Sequence, residues 1–153
     1  MTRLAVNGAA GRMGETVVET AAAREDVDVV VGFDVEPGEV QGVPVVAEDV
    51  AGALDDYEVD IVVDFSIPES TLPLTDACVE TGTGLVVGTT GFDADGLATL
   101  DDASESVPLL KATNFSRGIQ VLQRTVREAV RALDDYDLEL MESHHNGKVD
   151  APS

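Results

Sequence analysis

The sequence predicts an α/β fold in which a parallel sheet carries helices on both faces, and three observations lead to this class. Short runs of valine, isoleucine and leucine alternate along the chain with segments of helical periodicity. Those apolar runs are continuous, as is typical of strands that are buried on both faces. Glycine-rich or polar clusters follow the runs, where a parallel sheet gathers its binding loops.

The first element is a strand, followed by a glycine turn and a helix. The apolar run at 4–6 leads into Gly-Ala-Ala-Gly-Arg-Met-Gly at 8–14, and apolar residues then recur at helical spacing. Gly8 permits the tight turn, small residues let backbone N–H groups approach a pyrophosphate, and Gly14 lets the helix lie close to the strand. With a strand before it and a helix after it, this turn predicts a Rossmann-type dinucleotide site.

The second apolar run, at 27–33, ends in an acidic residue. Asp34 follows about 20 residues after the glycine turn, where an acidic side chain accepts hydrogen bonds from the adenosine ribose. Its carboxylate would repel a 2′-phosphate, and neither Val35 nor Glu36 supplies a cation to relieve that repulsion. We therefore predict NADH as the cofactor, with NADPH left open. The alternative role for Asp34 is that of a plain loop carboxylate.

The rest of the chain continues the alternation. A loop with one short strand is predicted at 36–47, strands at 61–65, 85–87 and 108–111, and helices at 49–54, from Pro68 onward and at 93–104. A last helix at 118–133 carries one apolar stripe and is followed by a strand-like segment at 138–142. Polar or glycine-rich clusters follow the strand ends, at 8–14, 34, 65–66, 88–92 and 112–116. Because parallel strands end at one edge, these clusters should converge on one crevice.

The composition is strongly acidic. Thirty Asp and Glu oppose nine Lys and Arg, for a net charge of −21, and the acidic residues are spread along the chain. Such self-repulsion fades at molar salt, where the Debye length is about 3 Å, so we predict a protein of a high-salt cytoplasm, with an ordinary acidic protein as the alternative. No basic face is available for nucleic acid. No apolar run approaches a membrane span of about 20 residues, and no leader is visible, so a cytoplasmic location is expected.

The end of the chain concentrates titratable nitrogens. His144 and His145 are the two histidines, and Lys148 is one of two lysines. Histidines titrate near neutrality and lysine is a compact cation, so the group can hold an anion and donate protons; a solvated polar tail is the alternative. Cys78, the single cysteine, is expected to be a buried apolar residue and not a reactive thiol. No metal site is predicted.

Four motifs resemble one family. Gly-Ala-Ala-Gly-Arg-Met-Gly, Gly-Thr-Thr-Gly-Phe, Asn-Phe-Ser and His-His-Asn-Gly-Lys-Val-Asp-Ala-Pro-Ser occur in this order and span the chain. Together they resemble the dihydrodipicolinate reductase (4-hydroxy-tetrahydrodipicolinate reductase) family. The resemblance implies an oxidoreductase that is usually a homotetramer. It would use NAD(P)H to reduce 4-hydroxy-tetrahydrodipicolinate, a small dicarboxylate, to tetrahydrodipicolinate in the diaminopimelate pathway of lysine biosynthesis.

The resemblance also implies roles for individual residues. His144 matches the family's proton donor and acceptor, Lys148 its second proton donor, and His145 a substrate contact. The nucleotide-binding positions carried over are Gly8, Ala9, Ala10, Gly11, Arg12, Met13, Asp34, Gly88, Thr89, Thr90, Ala112, Thr113, Asn114 and Phe115. The expected organisation is a dinucleotide-binding domain at 1–116, followed at 117–153 by the truncated start of an α+β substrate and oligomerisation domain.

One departure from the family pattern keeps alternatives open. Family members continue after the final serine with Gly-Thr and several strands, whereas this chain stops at Ser153, so a partial chain is expected. A nucleotide-binding module without catalysis is therefore one alternative. Another NAD-dependent reductase of amino-acid metabolism, such as an aspartate or homoserine dehydrogenase, is the second, although the His-His-x-x-Lys motif argues against it.

Arg12, Lys111 and Arg117 can supply local positive charge for anionic ligands.

Overall fold

A computed structural model describes residues 1–133, 135–139 and 141 of the 153-residue chain. The elements, in chain order, are β1 Thr2–Asn7, α1 Arg12–Ala22, β2 Val27–Phe33, β3 Gly38–Val40, β4 Val43–Val46, α2 Val50–Asp56, β5 Ile61–Asp64, α3 Pro68–Thr81, β6 Gly84–Val87, α4 Ala94–Ser104, β7 Leu109–Lys111 and α5 Arg117–Ala132. The predicted alternation of strands and helices is confirmed from β1 to α5.

The strands form one sheet in the order β3-β4-β2-β1-β5-β6-β7. Every neighbouring pair is parallel except β3 and β4. The chain builds outward from β1, first through β2 on one side and then through β5 on the other. The order therefore reverses beside β1, and a crevice forms at the carboxyl ends of the strands at such a switch point.

The segment after β2 differs from its prediction. One short strand in a loop was expected at 36–47, but β3 and β4 form an antiparallel hairpin. Gln41 and Gly42 both have positive φ, at 51° and 86°, which suits a tight two-residue turn between strands. Strands of three and four residues are too short to give a clear periodic signal, which explains the missed strand.

The core lies in two layers, one on each face of the sheet. Residues of α2, α3 and α4, among them Leu54 and Cys78, pack on one face, while Val18 of α1 packs on the other. Cys78 is fully buried, as predicted. Burial, and after it the negative charge of Asp64, raises the pKa of the thiol to about 12, so the thiol stays neutral and behaves as a small apolar group.

Two compact units divide the chain, Met1–Lys111 and Ala112–Ser153. In the second unit α5 carries the predicted apolar stripe, yet none of its residues is buried. The strand predicted at 138–142 is wrong at the described positions 138, 139 and 141, which have no regular structure. A strand needs a hydrogen-bonded neighbour, and all the strands of the described sheet lie in the first unit.

Candidate dinucleotide-binding site

The turn between β1 and α1 is tightly packed against its neighbours. Gly8 has φ +75°, and the N–H groups of Gly8 and Ala9 donate to the carbonyl of Phe33 at 2.9 and 3.1 Å. A Cβ on Gly8 would lie 2.6 Å from the carbonyl oxygen of Phe65, and one on Gly14 would lie 2.0 Å from the carbonyl oxygen of Gly8. Both positions therefore require glycine, and the close approach of helix and strand that the spacing predicts at Gly14 is present.

The amino terminus of α1 is open to an anion. Its N-cap is Gly11, which makes no side-chain cap, whereas Asp49 and Asp93 cap α2 and α4 through the N–H groups of the third residues after them. The first N–H groups of a helix have no partners within it, and they carry the positive end of the helix dipole. At α1 these donors face the end of the glycine turn, so the backbone there can bind a phosphate group.

Asp34 lies beside the same turn. Its half-buried carboxylate accepts a hydrogen bond from Ala10 N–H at 2.9 Å through Oδ2 and one from Val35 N–H at 2.8 Å through Oδ1. The parallel register pairs Asn7 with Phe33, which brings the ends of β1 and β2 together. The contact with Ala10 is not visible in the sequence, because it depends on this register.

The loop after β6 packs against the loop after β5. Gly88 donates its N–H to the carbonyl of Asp64 at 2.8 Å, and a Cβ on Gly88 would lie 2.2 Å from the ring of Phe65. Thr89 is buried, and its Oγ1 accepts a hydrogen bond from the N–H of Ser66 at 2.9 Å. The residues at 88–90 thus lie at the same edge of the sheet as 8–13 and Asp34.

A cavity of about 460 Å³ opens between α2 and α3, next to the end of β1. Asn7 and Ser70 line it together with apolar residues such as Leu74, and Asp49, Asp76 and Glu80 add carboxylates. Its volume falls in the usual range for small-ligand sites. This cavity is not visible in the sequence, because its walls come from two helices that meet only after folding.

The remaining predicted site residues lie in the second unit. The segment 112–115 opens that unit, where Asn114 accepts hydrogen bonds from Ser116 N–H at 2.7 Å and from Gln120 Nε2 at 2.8 Å. These bonds organise the start of α5. His144, His145 and Lys148 lie outside the described residues.

Positive charge is sparse in the described part of the chain. Its ion pairs are Arg24–Asp26 and Arg131–Glu128, both exposed. Arg12 is exposed at the start of α1, and the Lys111 ammonium lies 5.7 Å from the ring centroid of Phe92 at the end of β7. Within the described ranges no group of His, Cys, Asp and Glu could hold a metal ion, and no helix could span a membrane.

Sequence reasoning missed a buried polar cluster behind the site. Asp64 ends β5 fully buried and accepts hydrogen bonds from Asn7, Ser66 and Thr71. The one sequence signal was an acidic residue at the end of an otherwise apolar strand, in Ile-Val-Val-Asp.

A parallel sheet with a glycine turn at its switch point is the architecture of Rossmann-type dinucleotide-binding proteins. Within that class the chain belongs to the dihydrodipicolinate reductase family, as its motifs suggested. Residues 2–115 match the family model described as dihydrodipicolinate reductase, N-terminus, and residues 118–153 match the model of its C-terminus.

Individual relatives agree with the family models. The 4-hydroxy-tetrahydrodipicolinate reductase of Haloarcula marismortui is 62% identical over 155 residues, which cover 100% of this chain and 61% of that protein. The enzyme of the same name from Natronomonas pharaonis is 47% identical, covering 97% and 59%. Among solved structures, a dipicolinate-bound dihydrodipicolinate reductase from Paenisporosarcina sp. TG-14 matches with a TM-score of 0.80 and 26% identity, covering 100% and 62%. The chain thus spans about three fifths of the length of these relatives.

Proposed function

We propose that this chain binds NADH at the β1–α1 turn and that the protein uses it to reduce 4-hydroxy-tetrahydrodipicolinate to tetrahydrodipicolinate in lysine biosynthesis. The observation that carries nucleotide binding is the packing of Gly14, where any side chain would collide with the carbonyl oxygen of Gly8. That packing brings a helix amino terminus without a side-chain cap to the end of the first strand. Membership of the family supports the choice of reaction.

Each part of the nucleotide has a group that would hold it. The backbone N–H groups of Arg12 and Met13, at the start of α1, would bind the pyrophosphate, and Asp34 would accept hydrogen bonds from the adenosine ribose. The cavity between α2 and α3 would take the adenine. The segments 88–90 and 112–115 would line the nicotinamide half, by analogy with the family. The carboxylate of Asp34, held beside Ala10, favours NADH because it would meet a 2′-phosphate with like charge.

The chemistry divides between the cofactor and the end of the chain. NADH, when bound, supplies a hydride. His144 would protonate the substrate as a general acid, a role that suits histidine because the imidazole side chain in general titrates near neutral pH. Lys148 would be the second proton donor and would hold a substrate carboxylate, and His145 would contact the substrate. Arg12 and Lys111 would raise the local positive potential in a protein of charge −21. By analogy with the family, the enzyme would be a cytoplasmic homotetramer.

Nucleotide titration tests the cofactor assignment. In molar KCl, fluorescence titration should give a Kd for NADH about tenfold lower than that for NADPH, because like charges in contact repel by about 1 kcal/mol or more, and 1.4 kcal/mol corresponds to about tenfold in Kd. Asp34→Asn should bring the two values close together. Glu36→Gln, which removes an exposed carboxylate two positions further on, should leave their ratio unchanged. Equal affinities in the unaltered chain would contradict the role of Asp34.

A turnover assay tests the reaction. With the dicarboxylate substrate, His144→Ala and Lys148→Ala should lower kcat by about 10²-fold or more while leaving NADH affinity intact. A parallel loss of NADH affinity would place these residues in the nucleotide site instead. Binding without turnover by the unaltered chain would favour a nucleotide-binding module, and turnover only of another substrate would favour a different reductase.

A further inference from the structure

Asp64 is a buried carboxylate whose partners are all neutral. It ends β5, is 0% exposed, and lies beside Asn7 of β1 in the parallel register. Its Oδ1 accepts from Asn7 Nδ2 at 2.8 Å and from Ser66 Oγ at 2.5 Å, and its Oδ2 accepts from Thr71 Oγ1 at 2.8 Å. Within the described residues it forms no ion pair.

A buried carboxylate without a cation is costly, so its place in this core needs a physical reason. A carboxylate only accepts hydrogen bonds, and its two oxygens can serve several donors at once. An asparagine at position 64 would offer one oxygen and would turn an NH₂ group toward these donors, so that at least one of them would lose its acceptor. A two-oxygen acceptor is what an amide and two hydroxyls converging on one point require.

The three donors come from segments that surround the glycine turn. Asn7 directly precedes Gly8, and the carbonyl of Phe65 lies 2.6 Å from the place of a Cβ on Gly8. Ser66 extends the cluster to the next loop, since its N–H donates to Thr89 Oγ1 at 2.9 Å. Thr71 anchors the same carboxylate to α3. One buried side chain therefore joins the end of β1, the loop after β5 and α3, and Ser66 links this set to the loop after β6.

We propose that Asp64 is a positioning residue for the dinucleotide site. This inference rests on the proposed nucleotide binding. Asp64 is buried beneath the turn and acts through Asn7 and Ser66, which it holds so that 8–14, 65–66 and 88–90 keep their mutual spacing. The nucleotide then binds to loops that are already ordered. Its binding free energy is therefore not reduced by the cost of ordering these loops.

A matched pair of variants tests this role. Asp64→Asn keeps the shape of the side chain but removes one acceptor oxygen. Thr75→Val is the control: Thr75 is fully buried in the same helix, α3, and its hydroxyl donates only to the carbonyl of Thr71, at 2.8 Å. At a temperature where circular dichroism shows all forms folded, in molar KCl, Asp64→Asn should raise the Kd for NADH at least about tenfold, and Thr75→Val less than about twofold.

Amide hydrogen exchange supplies a second readout that general destabilisation would not produce. Asp64→Asn should speed exchange selectively at Ser66 and Gly8, whose N–H groups are bonded at the joined loops, and Thr75→Val should not. If Asp64→Asn fails to fold, Thr71→Val and Ser66→Ala each remove one donor and should each weaken NADH binding several-fold.

The outcomes separate this inference from the function on which it rests. An Asp64→Asn form that binds NADH within about twofold of the unaltered chain would overturn the positioning role alone, as would unchanged affinity in both Thr71→Val and Ser66→Ala. An unaltered chain that does not bind NADH would overturn the proposed nucleotide binding, and the role of Asp64 with it.

Discussion

Each of the two units of this chain contains a helix with apolar periodicity, α1 in the first and α5 in the second, but the two helices differ in burial. In the first unit α1 buries Gly14, Val18 and Ala21 against the sheet. In the second unit α5 is longer and has a clear apolar stripe, including Leu122 and Val130, but buries no residue. Apolar periodicity predicts a helix in both cases. It produces a core only where a second surface lies against the stripe, since helical stability in proteins comes mainly from such packing.

The largest expected effect on nucleotide binding comes from the tightest glycine contact of the first unit. Gly14→Ala places a methyl group 2.0 Å from the carbonyl oxygen of Gly8, so the turn and the helix must move apart. We expect NADH affinity to fall at least about 100-fold and the free energy of unfolding to fall by about 1–3 kcal/mol. Gly38→Ala, where a Cβ meets nothing within 4 Å, is the control and should change neither quantity. Normal NADH binding by Gly14→Ala would contradict the proposed nucleotide site at the β1–α1 turn.

A pair of leucine truncations compares the units directly. Leu54 is 1% exposed in the core of the first unit, and Leu122 is 56% exposed on α5. Leu54→Ala should lower the free energy of unfolding by about 2–5 kcal/mol because it leaves a cavity, while Leu122→Ala should change it by less than about 0.5 kcal/mol. Urea unfolding followed by circular dichroism measures both. A large loss in Leu122→Ala would mean that the stripe of α5 is buried in solution.

Salt should shift the stability of the acidic chain as a whole. Thirty acidic residues face nine basic ones, and in the described ranges the ion pairs are two exposed contacts. Repulsion is screened at molar ionic strength, so Tm should rise by about 10 °C between dilute buffer and 2 M KCl. A scan in 2 M sucrose controls for effects of a crowded solute without charge. An equal Tm in dilute buffer and KCl would contradict adaptation to high salt.

The smallest effect comes from the thiol buried in the first unit. The ordinary pKa of a cysteine is 9.0, and burial beside the charge of Asp64 raises that of Cys78 to about 12. Above pH 9 the unfolded chain releases this proton and the folded chain keeps it. The contribution of the neutral Cys78 thiol to the free energy of unfolding is therefore complete below pH 9. It falls as the pH rises toward 12, by up to about 1.4 kcal/mol per pH unit.

The Cys78→Ala variant isolates that contribution from those of tyrosine and lysine. Between pH 8.5 and 10.5, urea unfolding should show a steeper loss of stability for the unaltered chain than for Cys78→Ala. A thiol reagent at neutral pH should react with Cys78 only after unfolding. Parallel pH profiles for the two forms, or rapid reaction of the folded chain, would contradict the burial of a neutral thiol.

Several features of the fold and site could be predicted because their signals are local. The order of strands and helices follows from periodicity, and Gly8, Gly14 and Asp34 follow from spacing around one turn. The hairpin of β3 and β4 was missed because three or four residues carry too little pattern. The strand at 138–142 was predicted from alternation alone, which does not test whether a neighbouring strand exists.

The sequence alone determined the class of the fold, the family and the residues proposed to bind the nucleotide. The fold class follows from short-range periodicity, and the family and the proposed residues follow from short motifs. Only the tertiary structure decided what lies behind those residues. The bond from Ala10 to Asp34, the cluster around Asp64 and the cavity between α2 and α3 all join segments that are distant in the chain. Such contacts depend on strand register and helix packing, which are properties of the whole sheet and leave no mark at any one position.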